Sequence, residues 1–244
     1  MSDPATFQLV IAGLQAIPAL LWAVITWTLW CFLRRRRPNL GAYRVLVAVA
    51  ALLAWHYVLW TLAPLVPAHL RGEANLMRGV LFAAIDAGVV ALMATGWHFA
   101  LVWPLRGEPP RPVWLAVNYG LAAVVGSVLV LNDLHRVPLP SFFAVFTAYI
   151  LIMGALTVRD VRRLARRAPW RAGGLGDLGT PDAVFTVLGL GCILAGHVLP
   201  VLAGTSTLAL TTSGAPSGIG LVAFGLHALA GLVLAVPFVV RDLG

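Results

Sequence analysis

Residues 7–37 read FQLVIAGLQAIPALLWAVITWTLWCFLRRRR. An unbroken apolar run from Phe7 to Leu33 is followed at once by Arg34, Arg35, Arg36 and Arg37. About 20 apolar residues cross the roughly 30 Å of hydrocarbon in a bilayer, so this run is long enough to span. A secretory signal has its positive charge before the apolar stretch. Here Met1 to Gln8 carries Asp3 and no base, and the charge comes after. The run is therefore expected to stay as a first membrane span, with the N-terminus outside and the four arginines in the cytoplasm.

Working outward, the same pattern recurs. Apolar runs at about 43–65, 78–103, 113–131, 141–158, 183–203 and 217–240 complete seven predicted spans. The expectation is an all-α polytopic membrane protein, a single seven-helix domain over residues 1–244 with a cytoplasmic C-terminus. The composition agrees: 60% of residues are hydrophobic, 11% are charged and the mean hydropathy is +0.91. A soluble domain carries about 25% charged residues.

All 17 basic residues are arginine. With alternating spans, fourteen fall in cytoplasmic loops and three, Arg71, Arg78 and Arg136, fall outside. That asymmetry is the positive-inside bias. It also assigns the net charge of +8 to topology rather than to nucleic-acid binding. The absence of lysine excludes a retinal Schiff base. Cys31 and Cys192 lie in separate apolar runs without CxxC spacing, which suits buried thiols rather than a disulfide framework or a zinc ribbon.

The longest loop, Arg159 to Asp182, opens with Arg159, Arg162, Arg163, Arg166 and Arg167, followed by Arg171. This basic stretch suits anionic lipid headgroups or a cytoplasmic protein partner. Trp30, Trp103, Trp114 and Trp170 fall near the expected cytoplasmic boundary, where indole rings prefer to lie.

Ionisable residues inside hydrocarbon are costly and mark candidate sites. At 1.5 Å per residue, His56, Asp86, His197 and His227 fall roughly 9–15 Å below the outer surface on four different spans. His98 lies instead near the cytoplasmic end of span three. If the four helices adjoin, the layer suits a transition metal, haem iron, a proton relay or a small polar ligand from the outer side. Equally, each histidine can simply bond a neighbouring helix. Trp60, one turn above His56, is a candidate pocket wall or an interface anchor. Ala223, His227 and Gly231 share a face on which small neighbours admit a second helix closely. Pro200, three residues after His197, can bend its helix.

Span four closes on Leu131-Asn132-Asp133-Leu134-His135. Asn and Asp favour a turn there. This segment, with the outside N-terminus and the basic first cytoplasmic loop, resembles the seven-helix N-terminal sensor region of bacterial histidine kinases. That family has Thr-Asn-x-x-His at this place, where leucine here replaces threonine. The resemblance implies a sensory module of a bacterial cytoplasmic membrane. No kinase domain follows span seven in this sequence, so a stand-alone module signalling to a partner, or a fragment of a longer receptor, is expected. A haem- or metal-binding redox subunit is the alternative. An intramembrane zinc hydrolase comes third, because no HExxH or HxxxH motif is present.

Overall fold

A computed structural model describes residues 4–36, 41–66, 76–102, 111–134, 142–167, 180–202 and 218–243. Among them are seven α-helices and no strand. The helices are α1 (Pro4–Arg36), α2 (Gly41–Leu62), α3 (Leu76–Val102), α4 (Pro112–Asp133), α5 (Phe142–Arg167), α6 (Thr180–Leu202) and α7 (Gly218–Leu243). A 3₁₀ turn, Ala63–Leu65, follows α2. In lipid a backbone must satisfy its own polar groups, which leaves the helix as the form these apolar runs can take.

Five helices are long and apolar enough to cross a membrane: α1, α2, α3, α4 and α7. In α6 the apolar stretch is shorter, Val187–Pro200. Helix α5 runs nine residues beyond the expected span, because its Arg-rich end continues the helix to Arg167. Prolines mark the limits elsewhere. Pro64 starts the turn that ends α2, and Pro112 opens α4 at a position where a missing N–H costs nothing. Pro18 sits inside α1 and removes the bond that would reach the Leu14 carbonyl.

The helices adjoin in the order α1, α2, α3, α5, α6, α7 and back to α1, with α4 laid against α3 and α5. Helix α3 is therefore central and α4 peripheral: the apolar stretch of α3 is 67% buried and that of α4 is 22% buried. One core joins Val90, Trp97, Leu129, Tyr149 and Met153 across α3, α4 and α5. A second joins Trp22, Leu46, Tyr57 and Ala235 across α1, α2 and α7. A third caps the end nearest the N-terminus, with Phe7, Trp60, Phe82 and Phe224.

Candidate functional site

His56 on α2 and His227 on α7 stand side by side in the bundle. Their ring centroids are 6.0 Å apart and the planes are inclined by 21°. Both side chains are buried, at 2% and 1% exposure. Aromatic rings enclose them. Tyr57 is 5.2 Å from His56, and Trp60 lies 6.2 Å from His56 and 6.3 Å from His227. Phe224, one turn before His227, lies 6.5 Å from it and 5.4 Å from Trp60.

Helix α6 closes the remaining side. At Gly196 an added Cβ would overlap the His227 ring, standing 2.7 Å from its Nε2 and 3.0 Å from the Ala223 carbonyl. Glycine is thus the residue that lets α6 reach the imidazole. Gly231 performs the same service one turn further along α7. A Cβ there would meet Pro18 of α1 and the Tyr57 phenol at 2.6–2.8 Å. Gly231, a pocket-wall candidate from the sequence like Trp60, is thus a close contact for α1 and α2.

One face of α7 offers its carbonyls to the neighbouring helices. Gln15 Nε2 donates to Phe224 at 2.8 Å, the Tyr57 hydroxyl donates to His227 at 2.7 Å, and Trp22 Nε1 donates to Gly231 at 2.9 Å. Steps of three and four residues keep these oxygens in one row. The two bonds from α1 share an offset of 209 residues, so α1 and α7 run parallel and in fixed register. Two polar atoms at the Phe224 end of the histidine pair, Gln15 Oε1 and Trp60 Nε1, are buried with no hydrogen-bond partner among the described residues. A buried polar atom in that condition costs about 1–3 kcal/mol.

Asp86, a third expected member of the layer, lies on another side of the bundle. Asp86 on α3 lies beside Asp133 at the end of α4, close enough for the two carboxyl groups to act on each other's charge. Gly79 makes that approach possible, since a Cβ would stand 2.8 Å from the Asp133 carbonyl. Asp133, in a segment whose composition favours a turn, is the last residue of α4 and 8% exposed. The signal for it was a second carboxyl at the depth of Asp86. His197 lies on α6 next to Gly196, and its side chain is outside the described residues, as is His135. His98 bonds the Tyr119 hydroxyl at 2.8 Å between α3 and α4. Among the described residues no three His, Cys, Asp or Glu side chains come together to hold a metal ion.

At the opposite end, Asp160 of α5 is buried and accepts from Trp97 Nε1 of α3 at 2.9 Å. Arg159 grips the same carboxylate twice, Nε to Oδ1 at 2.8 Å and Nη2 to Oδ2 at 3.0 Å. These bonds to Asp160 raise the Arg159 pKa above its ordinary value. Arg162, Arg163, Arg166 and Arg167 follow on the last turns of α5, their side chains outside the described residues, and Arg171 lies outside them altogether. Trp30 and Trp114 are exposed at 44% and 53%, and Arg34 lies over the Trp30 ring.

No protein-family model, curated protein or solved structure matches this chain.

Proposed function

We propose that the chain is a sensory module of a bacterial cytoplasmic membrane. It crosses seven times, with its N-terminus outside and its C-terminus in the cytoplasm. A small ligand from the outer side is received at the His56–His227 core, and the state of the bundle passes to a cytoplasmic partner through the basic end of α5. The observation that carries this reading is the buried imidazole pair, set where α1, α2, α6 and α7 meet. Two imidazoles in a dry bundle are expensive to keep. Among the described residues their neighbours are aromatic rings and carbonyls, which suits binding better than catalysis.

The packing supplies a route for the response. Gln15, Trp22 and Tyr57 hang on α7 carbonyls, so a displacement of α7 is shared by α1 and α2. Helix α3 packs on α2 and holds Asp160 through Trp97, which ties the bundle to the base of the arginine-rich turn. A ligand with different affinity for two such arrangements shifts the balance between them.

The test is gene expression in the source cell. A sensor gives the same altered set of transcripts on deletion of the chain, in His56→Asn with His227→Asn, and on changing Arg162, Arg163, Arg166, Arg167 and Arg171 to Gln. Arg159 stays, because it is committed to Asp160. Unaltered transcripts in all three strains would overturn the sensory reading.

The histidine pair also favours a second reading, a metal-binding redox subunit, which predicts bound copper or iron and a coloured protein. The zinc hydrolase is the least supported, since the described residues bring only two imidazoles together.

A further inference from the structure

We propose that the arginine face at the end of α5 binds the phosphate groups of anionic phospholipids in the cytoplasmic leaflet. The inference rests on the topology of the reading above, in which this end of α5 is cytoplasmic.

The first argument is depth. Two side-chain bonds fix α3 against α5. The Tyr149 hydroxyl donates to the Val90 carbonyl at 3.2 Å, an offset of 59 residues. Trp97 Nε1 donates to Asp160 at 2.9 Å, an offset of 63. The two helices therefore run parallel. The apolar stretch of α3 ends at Val102. Carried across by these offsets, that level meets α5 between Val161 and Ala165. The headgroup layer beyond the hydrocarbon is about 5–8 Å deep, or roughly three to five residues of helix. Helix α5 continues to Arg167. Positions 162, 163, 166 and 167, all arginine, thus stand at headgroup depth. Arg159 falls below that edge, where an ion needs a partner, and Asp160 supplies one at 2.8 Å.

The second argument is direction. At about 100° per residue, positions 159, 162, 163, 166 and 167 fall within an arc of about 140°. The buried face of α5 is marked by Phe146, Ile150, Met153, Thr157 and Asp160. The centre of the arginine arc lies about 130° round the helix from the centre of that face. These positions are turned away from the core.

The third argument is charge. In this topology the cytoplasmic segments hold fourteen arginines against five acids, Glu108, Asp160, Asp177, Asp182 and Asp242. The chain cannot neutralise this side by itself. The anion abundant at headgroup depth is a phosphodiester, whose oxygens match the paired N–H groups of guanidinium. A cytoplasmic partner must then displace lipid from this face before it docks.

The experiment uses the full chain in vesicles of phosphatidylcholine with about one-third phosphatidylglycerol, an anionic surface. Electron spin resonance of spin-labelled lipids reports how strongly each headgroup is held at the protein. The parent chain should favour phosphatidylglycerol by at least ~3-fold, and the preference should shrink as salt rises. That salt titration needs no variant. Changing Arg162, Arg163, Arg166 and Arg167 together to Gln should bring the two lipids close to parity. Changing Arg34, Arg35, Arg36 and Arg37 to Gln removes the same charge. Those residues are consecutive and share no helix face, so most of the preference should survive. No preference in the parent chain, or preference kept by the α5 variant, would overturn the proposal. Equal losses from the two sets would also overturn it, because surface charge alone would then account for them. Poly-glutamate held by the α5 arginines without any lipid preference would give the face to an acidic protein segment instead. Topology is tested separately with Ala172→Cys in a chain carrying Cys31→Ser and Cys192→Ser. An impermeant maleimide should reach that cysteine only in broken cells, and labelling in intact cells would remove the topology. Lipid preference with unaltered transcripts leaves the lipid site and removes the sensory reading.

Discussion

The carboxyl groups of Asp133, on the last turn of α4, and of Asp86, in α3, stand close enough to act on each other's charge. Two carboxylates repel and neither can donate, so a buried pair this close is stable with one proton between them. An amide supplies the same donor permanently. Asp133→Asn is therefore expected to keep the melting temperature of the detergent-solubilised protein at neutral pH. Asp133→Ala should lower stability by about 1–3 kcal/mol, because Asp86 then loses its partner. Equal melting of both variants would show that the pair contributes nothing.

Gly196 and Gly191 lie on the same helix and should answer differently to one methyl group. At Gly196 the methyl overlaps His227, whereas at Gly191 there is open space. Gly196→Ala is expected to cost about 1–3 kcal/mol through overpacking. Gly191→Ala should be neutral or slightly stabilising, since alanine also suits a helix better. Thermal unfolding of the two variants side by side decides it. If Gly196→Ala is as tolerated as Gly191→Ala, the close approach of α6 to His227 is wrong.

Trp97→Phe removes the indole donor to Asp160 while keeping an aromatic ring in the core. Asp160 keeps Arg159, so the expected loss is modest, about 1 kcal/mol. Asp160→Ala leaves Trp97 without its acceptor and releases Arg159, and should cost more. Protease sensitivity of the segment after Arg159, measured with the bundle folded, should rise in Asp160→Ala and stay unchanged in Trp97→Phe.

Tyr57→Phe and Trp22→Phe each delete one bond to an α7 carbonyl. Those carbonyls also serve the helix itself, and interhelical bonds in membranes average about 0.6 kcal/mol. Each single variant should therefore lose well under 2 kcal/mol. The double variant should depart from the sum, since both side chains meet at Gly231 and pack in one core. A loss several times larger from Tyr57→Phe alone would mean that the hydroxyl holds something besides His227.

The histidine pair shows how far depth alone carries a reading. His56 and His227 were legible as two imidazoles at one level, because rise per residue converts position to depth. Their meeting depended on α2 and α7 lying across one another, which hydropathy does not encode. Asp86 shared the level but lies on the α3–α4 side of the bundle, and its partner Asp133 was hidden in a segment that reads as a turn. Gln15 and Trp22 gave no signal at all. One glutamine in a span and one tryptophan away from its ends are ordinary residues until α7 offers them a carbonyl.

The helical runs followed from the sequence alone, although α5 continues nine residues past its apolar stretch. Lipid supplies no hydrogen-bond partners, so an apolar run of about 20 residues has little choice but to close its bonds within a helix. Which face of each helix turns inward was left to the tertiary structure. Helix α1 is apolar on every side: Phe7, Ile11, Trp22 and Leu29 are buried, while Leu9, Ile17, Leu20 and Trp27 are exposed. A lipid tail is as apolar as leucine, so hydrophobicity cannot choose between these faces. The choice was made by small residues that let helices approach, at Gly79, Gly196 and Gly231, and by the few polar side chains that found partners once they did.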